Sequence, residues 1–364
     1  SSTNYPVGVR RAGAQRRPAV APPAAELRCS ALMTPAGALL REEIARSGLV
    51  SFRRFMEVAL YHPEHGYYRR GRDPFGAAGD YYTAEQLQPV FGILIARRLN
   101  MLFEQMESGG DRIVVELGAG RGEMAPAFSS FRYYPVDVSG GGWPERFAGI
   151  VFANEFFDAL PVHVAARRAG RFRAMLVGVK EDRFVWVEGE PVSGEIEEYA
   201  RRYAPPDGED VILEICLDAR RWIEEIARRL DRGFVVAIDY GYTARELARF
   251  PEGTLMSYRK HTACEDVLSD PGNGDITAHV NFTDLQDHAA SLGLESVFLE
   301  SMARTLIAAG EVDEFAEALR AETETERLQR RQQLKSLLYG MGETFRTLLL
   351  RKRPLEGGAA RGKK

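Results

Sequence analysis

The chain has 364 residues, a formal net charge of -4 and 45% hydrophobic residues, so it can bury a large core. Its 48 basic residues against 52 acidic ones give no basic excess of the kind typical of nucleic-acid-binding proteins. No uninterrupted apolar stretch approaches the roughly 20 residues that span a bilayer. We therefore expect a protein that neither binds nucleic acid nor inserts into a membrane.

The cysteines argue against extracellular and zinc-binding proteins. Cys29, Cys216 and Cys264 are too few and too scattered for a disulfide framework, and no two of them form a CxxC pair. They predict a reducing compartment and no metal site.

Residues 1–32 differ in composition from the rest of the chain. They hold five arginines against the single acid Glu26, with much Pro and Ala. Arg-rich, acid-poor segments are typical of mitochondrial presequences, although no clear amphipathic helix is present. Two alternatives stay open. One is a presequence and the mitochondrial matrix; the other is a disordered leader or upstream translated region, with Met33 as the natural start, in the bacterial cytoplasm.

Residues 33–108 are predicted to form a helical N-terminal region. Thr34 can cap a helix and Pro35 suits its first position, and the apolar spacing that follows predicts two helices broken near Gly48. The segment 61–92 is rich in Gly, Pro and Tyr, and a structured loop of that length is more often functional than a simple connection.

Residues 109–352 predict an α/β domain with a mostly parallel sheet. Buried apolar runs separated by helical stretches indicate parallel strands with crossover helices. The four runs are RIVVELGAG (112–120), YYPVDVSG (133–140), GIVFANE (149–155) and GFVVAIDYGY (233–242). An antiparallel β insertion is predicted at about residues 162–205, because residues 171–190 alternate as a hairpin does, with a turn near Glu181 and Asp182. Residues 353–364 are predicted to be a disordered tail.

The motif VVELGAGRGEM predicts a cofactor site. Glu116 ends a predicted strand, and Gly118 and Gly120 let the chain turn sharply and bring bare backbone against a ligand. A dinucleotide fingerprint needs a glycine where Glu123 stands. An acid before the turn instead suits S-adenosylmethionine, whose sulfonium and amino groups are cationic. Asp137 ends the next predicted strand and is placed to accept hydrogen bonds from ribose hydroxyls; a tight turn with a helix-capping acid is the alternative.

The segment FANEFFDALP places Asn154, Glu155 and Asp158 directly after an apolar run. One interpretation is a helix start, with Asn154 as the cap and the acids facing the helix dipole. The other is a site for a cationic substrate.

Several segments together resemble the MidA-like family of class I S-adenosylmethionine-dependent methyltransferases, which includes the mitochondrial protein arginine methyltransferase needed for assembly of respiratory complex I. The resemblance runs from about Leu39 to near Leu350. The segments are HPEHGYY, DPFGAAGDYYTAE, ELGAGRGEM, ANEFFDALPVH, AIDYGY, GTLMSYRKH and DPGNGDITAHVNFTDL.

The resemblance implies a seven-stranded, Rossmann-like class I sheet that binds S-adenosylmethionine. By motif match, the cofactor is held by Glu116, Gly118, Gly120 and Asp137, helped by a loop that folds over it. The loop residues are Gly79, Asp80 and Thr83.

The same resemblance implies a protein substrate that presents an arginine. Carboxylates match a guanidinium with two parallel hydrogen bonds, so Glu155 and Asp158, beside Asn154, are expected to orient the acceptor. His279, in the second polar segment DITAHVNF, either accepts the released proton or is a structural histidine. The oligomeric state is open, with a homodimer as the state considered.

One departure from the family concerns the residues between Asp137 and Asn154. The family has a further helix and strand there, on the adenine side of the pocket, whereas this chain has only a short segment with three glycines. The alternative function is therefore an assembly or binding factor that keeps the methyltransferase fold with weak or no catalysis.

Overall fold

A computed structural model describes residues 34–69, 84–106, 110–137, 141–206, 208, 210–259 and 262–354. The strands are β1 (Val50–Ser51), β2 (Ile113–Leu117), β3 (Arg132–Val136), β4 (Phe147–Asn154), β5 (His163–Arg168), β6 (Arg171–Lys180), β7 (Arg183–Pro191), β8 (Ile212–Ile215), β9 (Leu230–Tyr242), β10 (Met256–Arg259), β11 (Thr262–Cys264), β12 (Asp275–Thr277), β13 (Val280–Asn281), β14 (Leu294–Ser301) and β15 (Phe345–Lys352). The α-helices are α1 (Pro35–Ser47), α2 (Phe52–Tyr61), α3 (Val90–Glu104), α4 (Gly194–Tyr203), α5 (Leu217–Arg229), α6 (Phe282–Ser291), α7 (Met302–Gly310), α8 (Glu324–Lys335) and α9 (Gly342–Thr344).

The largest sheet has seven strands. Its order is β14-β15-β9-β4-β2-β3, with β13 paired beside the end of β9. The strands β3, β2, β4 and β9 run parallel, while β15 and β14 are antiparallel. The predicted α/β class I fold with a mostly parallel sheet is thus confirmed, and all four predicted runs are strands of this sheet.

Both faces of this sheet are covered, because its strands are apolar at successive positions. In β4, Ile150 and Phe152 pack on the face covered by α3 and α7, whereas Val151 and Ala153 pack on the face covered by α5 and α6. Parallel strands buried on both faces read as continuous apolar runs. This arrangement leaves the ends of the strands as the place for polar residues.

The connection between β2 and β3 differs from the expected crossover helix. Residues 120–130 form a series of turns. Gly120 and Gly122 both have positive φ, and Pro126 has no N–H to donate, so a regular helix does not form there. The turn region keeps its backbone N–H groups close to the strand ends.

The antiparallel insertion is confirmed as a second sheet, in the order β1-β6-β5-β8 with β7 paired to β6. The predicted turn at Glu181 and Asp182 joins β6 to β7, and both residues have positive φ. Helices α1 and α2, capped by Thr34 and Ser51, pack against this sheet and form an apolar cluster with it. The N-terminal helices are therefore tied to the insertion.

Strand β3 is an edge of the large sheet within the described residues. Pro135 lies in it and has no N–H for a further neighbour, as is typical of edge strands. A Cβ on Gly141, whose φ is 118°, would lie 2.3 Å from the Pro135 carbonyl oxygen. The chain after β3 thus approaches the strand so closely that only glycine fits, and no described strand stands beyond β3.

Some predictions lie outside the described residues or stay untested. The leader (residues 1–32), the loop residues Gly79, Asp80 and Thr83, and the tail beyond Pro354 are outside them. The predicted domain boundaries stay a prediction. Within the described ranges, no helix is both long and apolar enough to cross a membrane, and no cluster of His, Cys, Asp and Glu side chains could hold a metal ion.

Candidate active site

The carboxyl ends of β2 and β3 form a backbone cradle. Gly118, with a φ of 74°, and Ala119 both donate their N–H to the Val136 carbonyl, at 2.9 and 3.2 Å. The Gly120 N–H donates to Asp137 Oδ2 at 2.8 Å. The structure therefore brings Gly118, Gly120 and Asp137 together in one turn.

Phe156 closes one side of this cradle. A Cβ added to Gly118 would lie 3.0 Å from Phe156 Cδ2, which is tighter than ordinary contact. The Phe156 ring is held edge to face by Trp222 and Phe157, with centroid distances of 5.1 and 5.2 Å. The cradle is thus a narrow slot between bare backbone and a fixed aromatic ring.

Glu116 lies at the floor of the cradle with only 1% of its surface exposed. The Tyr133 hydroxyl donates to its Oε2, while its Oε1 has no donor among the described residues. Burial raises the pKa of Glu116 to about 7, and the Tyr133 hydrogen bond opposes that rise. A buried acceptor left without a donor is unfavourable unless a ligand supplies one, so this oxygen fits the ammonium group of S-adenosylmethionine, which carries N–H donors.

Asn154 and Glu155 end β4 beside the cradle. Glu155 has a φ of 50°, in the left-handed region, and its N–H donates to the Ile238 carbonyl at 2.9 Å. The Glu155 Oε1 accepts from the Ala84 N–H at 3.0 Å and from the Asn154 amide at 3.3 Å. Asn154 Oδ1 is a second buried acceptor with no donor in the described part of the chain.

The helix-start interpretation of this segment is wrong. Residues 155–160 form turns after β4. Glu155 has a left-handed backbone conformation at the point where a helix would need a right-handed one. Strained conformations of this kind cluster at functional sites. Glu155 and Asp158 therefore lie in a turn after β4 and do not cap a helix.

The carboxyls of Glu155 and Asp158 both titrate higher than ordinary acids. Burial, then the nearby Asp158 charge, raises the pKa of Glu155 to about 8. Burial raises the pKa of Asp158 to about 6, opposed by a hydrogen bond from Tyr240. Asp158 Oδ1 has no donor within the described ranges. A cation bound here restores the charge of both groups, because an opposite charge lowers a carboxyl pKa.

Two neighbouring acids have a different role. Asp239 accepts from the Phe157 N–H at 2.9 Å and the Tyr240 N–H at 3.1 Å, so it fastens the turn after β4. Asp275 accepts from the Tyr68 hydroxyl at 2.8 Å, which ties the N-terminal region to β12. These acids support the shape of the site.

His279 lies in an aromatic slot next to this cluster. Its ring stands edge to face against Tyr240 and Phe250, with centroid distances of 5.2 and 5.3 Å. The backbone N–H of His279 donates to Thr254 Oγ1 at 3.0 Å, and no hydrogen bond joins its ring to Glu155 or Asp158. Burial lowers the pKa of His279. The proton-acceptor role predicted for it stays a prediction.

Three residues of the site were missed by the sequence analysis: Glu85, Tyr133 and Phe156. Glu85 lies in the short turn Ala84–Gln86 and is buried against Glu116 and Asn154. An acid in the motif DYYTAEQ, between aromatic and apolar residues, was the available signal. Tyr133 and Phe156 reach the cradle through tertiary packing, so the sequence carries no comparable signal for them.

Comparisons with known proteins agree with this geometry. Residues 134–299 match the family described as "Putative S-adenosyl-L-methionine-dependent methyltransferase". A crystal structure from Burkholderia thailandensis, bound to S-adenosyl-homocysteine, is 29% identical with a TM-score of 0.79, covering 90% of this chain and 95% of that chain. Its counterpart described as native has a TM-score of 0.75.

The curated relatives carry arginine methyltransferase names. The Drosophila melanogaster "Protein arginine methyltransferase NDUFAF7 homolog, mitochondrial" is 27% identical, covering 67% of each chain. The Homo sapiens "Protein arginine methyltransferase NDUFAF7, mitochondrial" is 26% identical, covering 74% of each chain.

Three features define a class I S-adenosylmethionine-dependent methyltransferase. They are the parallel sheet covered on both faces, the cradle at the strand ends, and the similarity to a structure bound to S-adenosyl-homocysteine. Within that class, the family match and these relatives support the resemblance to the MidA-like family that the sequence predicted. The predicted cofactor, S-adenosylmethionine, is confirmed, while the roles of the individual site residues stay predictions.

Proposed function

We propose that the protein is an arginine N-methyltransferase acting on a protein substrate. The observation that carries the proposal is the pair Glu155 and Asp158, two acids raised in pKa by burial beside the cofactor cradle. Arginine stays protonated at any ordinary pH and presents donors in a planar fork that suits carboxylates. The names of the relatives support the same acceptor.

The bound cofactor supplies a methyl group on a positively charged sulfur that leaves as a neutral thioether. Glu155 and Asp158 accept hydrogen bonds from the guanidinium and hold one nitrogen in line with that methyl group, and positioning of this kind supplies much of a rate enhancement. The C–S electron pair stays on sulfur, a C–N bond forms, and the nitrogen gives up one proton. Glu155, a carboxyl whose pKa is raised by burial, is the group placed to receive that proton and pass it to solvent.

The backbone around the acceptor keeps these acids in place. Ala84 and Asn154 hold the Glu155 carboxyl by two hydrogen bonds, and the Ala278 N–H donates to the Asp158 carbonyl at 3.0 Å. Phe156 and Phe157 bring apolar surface against the same turn. The acceptor nitrogen is thereby held beside the cradle with limited access of water.

The proposal is tested by methyl transfer from S-adenosylmethionine to matched peptides that carry either arginine or lysine, with methylated residues identified by mass spectrometry. We expect methylarginine only, and Glu155→Gln to lower that transfer by about a hundredfold or more, since a removed transition-state contact can cost that much. Glu197→Gln, on the exposed face of α4, is the matched control and should leave transfer unchanged. Equal transfer to lysine, or normal transfer by Glu155→Gln, contradicts the proposal.

The particular partner and compartment belong to the same proposal. A respiratory-complex type of substrate follows from the family resemblance, and the word mitochondrial in the relatives' names supports the mitochondrial matrix. The bacterial cytoplasm stays the alternative prediction for the compartment. The homodimer stays a prediction for the oligomeric state.

A second candidate function has one specific observation in its favour. Strand β3 is the described edge of the sheet on the side where the family resemblance expects a further strand. A chain that had lost adenine contacts there would serve as an assembly or binding factor with weak catalysis. Absence of cofactor binding by a folded sample would favour this function over the enzyme.

A further inference from the structure

A small cavity adjoins the turn after β4. Its volume is about 20 Å³, which is the space of one water molecule. Phe157 of that turn lines the cavity, and so does Ala278, whose N–H donates to the Asp158 carbonyl at 3.0 Å. The cavity is therefore in contact with the segment that carries the candidate acceptor acids.

Two polar side chains on the wall of this cavity each have a buried atom without a partner. Glu214, which is 3% exposed, and His279 both line the cavity. Glu214 Oε2 and His279 Nδ1 make no hydrogen bond within the described residues. Burial of such atoms is unfavourable unless a partner reaches them. One water molecule in a cavity of this size can bond to both.

The backbone fixes the orientation of the Glu214 carboxyl. Its Oε1 accepts from the Thr254 N–H at 2.6 Å and from the Leu255 N–H at 3.3 Å. Thr254 Oγ1 in turn accepts from the backbone N–H of His279 at 3.0 Å. Thr254 thus holds Glu214 and His279 next to each other, and Oε2 is the carboxyl oxygen left for the cavity.

Other polar side chains on the same wall already have partners. The Asn281 amide donates to the Tyr199 hydroxyl at 2.9 Å and accepts from the Asp284 N–H at 3.3 Å. Asp284 Oδ1 pairs with Arg220 Nη2 at 2.7 Å. The open positions for a water molecule are therefore those on Glu214 and His279.

The protonation states of these two groups follow from their surroundings. Burial raises the pKa of Glu214, but the N–H groups of Thr254 and Leu255 oppose that rise, and hydrogen bonds of this kind favour the carboxylate. Burial lowers the pKa of His279, so the imidazole is neutral at about pH 8. A neutral imidazole carries its proton either on Nδ1 or on Nε2.

We propose that this cavity is a binding site for one water molecule, which accepts a hydrogen bond from His279 Nδ1 and donates one to Glu214 Oε2. A water molecule that donates to a carboxylate becomes a better acceptor, because hydrogen bonds in a chain polarise one another. The imidazole proton is then held on Nδ1, and Nε2 keeps its lone pair. Glu214 is a positioning residue that sets the tautomer of His279, and this inference is independent of the methyl acceptor.

The first experiment determines the His279 tautomer in the unmodified full chain by nuclear magnetic resonance at about pH 8, where the imidazole is neutral. The carbon shift of the imidazole Cδ2 differs between the two neutral tautomers, and a spectrum of His279→Gln identifies the signal. We expect the tautomer with the proton on Nδ1. A proton on Nε2 overturns the proposal, because Nδ1 then has nothing to donate to the water.

The second experiment uses Glu214→Gln, in which Thr254 and Leu255 keep the amide oxygen at the position of Oε1. The amide nitrogen then replaces Oε2, so an acceptor becomes a donor at the cavity. The water accepts from this nitrogen and donates to His279 Nδ1, and we expect the imidazole proton to move to Nε2. An unchanged tautomer in the folded variant contradicts the proposal.

Glu197→Gln, on the exposed face of α4, is the matched control for this substitution. It removes the same charge away from the cavity and should leave the proton on Nδ1. A change of tautomer in this variant would show that the charge of the chain, and not the contact through the cavity, controls His279. Failure of arginine methylation alongside the expected tautomers would refute the proposed acceptor and leave this inference standing.

Discussion

The chain buries carboxylates in two regions, and the two regions treat them differently. Between α5 and α6, Asp284 is 3% exposed and pairs with the guanidinium of Arg220, with Arg220 Nη2 at 2.7 Å from Asp284 Oδ1. At the strand ends, Glu116 and Asp158 are equally buried, yet each keeps one oxygen with no donor among the described residues. At Asp284 the fold supplies an arginine as the partner, whereas at Glu116 and Asp158 it leaves an oxygen open to a ligand.

Glu214 shows that an incomplete carboxyl alone does not define the site. Its Oε2 has no donor in the described part of the chain, and it lines a cavity of about 20 Å³. A polar cavity of that size holds one water molecule. The strand-end acids differ because they adjoin a glycine cradle at the carboxyl edge of a parallel sheet, where ligands of such folds bind.

Removal of the internal partner should have the largest effect. Asp284→Ala leaves the Arg220 guanidinium without its carboxylate, and breaking a buried pair in this way costs about 3 kcal/mol of stability. Urea unfolding measures the loss, and cofactor affinity should stay unchanged in the folded variant. The double variant Asp284→Ala with Arg220→Met should recover part of the loss; no recovery would mean that the pair is not the cause.

Blocking the cradle should affect the ligand rather than the fold. In Gly118→Val, the added Cβ would lie 3.0 Å from Phe156, in the space between the backbone and that ring. We expect the affinity for S-adenosylmethionine to fall about a hundredfold, or nearly 3 kcal/mol. Gly48→Val is the matched control, because Gly48 also has positive φ but a Cβ there has no neighbour within 4 Å. Titration calorimetry measures both. Equal affinities of the two variants would remove the cradle from the cofactor site.

The pH dependence of stability separates the two regions further. The pKa values of Glu116 and Glu155 are raised to about 7 and about 8, so between about pH 4.5 and those values the folded state holds protons that the unfolded state has lost. Unfolding free energy without cofactor should therefore fall as pH rises, by about 1.4 kcal/mol between pH 7 and 8. Urea midpoints across this range test it. Glu155→Gln should flatten the slope, and a rise in stability would contradict the pKa shifts.

Loss of a more exposed arginine–aspartate pair should have the smallest effect. Asp218 accepts from Arg53 at 2.7 Å, but both side chains are partly in water. Pairs of this kind contribute about 1 kcal/mol or less, so Asp218→Asn should lower unfolding free energy by no more than that. Urea unfolding of Asp218→Asn and Asp284→Ala in parallel gives the comparison. Equal losses of unfolding free energy would show that burial does not determine how much these ion pairs stabilise the fold.

The sheet and part of the site could be predicted because they leave local patterns. The apolar runs identified the parallel strands, and Glu116, Gly118, Gly120 and Asp137 lie together as their positions at strand ends required. Long-range packing left no such pattern. The left-handed Glu155, which excludes a helix after β4, depends on its hydrogen bond to β9, and a short run of sequence does not show it.

The contribution of the N-terminal region was the part hardest to anticipate. Glu85 is buried near Glu116, and its sequence surroundings suggest only a turn. Likewise, the close approach of Gly141 to the Pro135 carbonyl follows only from the three-dimensional path of the chain.

The most direct test of the account is titration of S-adenosylmethionine into the full chain by calorimetry, together with circular dichroism to establish that the sample is folded. Binding in the micromolar range, about -8 kcal/mol, is expected because the open Glu116 oxygen and the glycine cradle are completed by this ligand. No detectable binding by a folded sample would contradict it, and would mean that the edge at β3 has left the cofactor site without sufficient contacts.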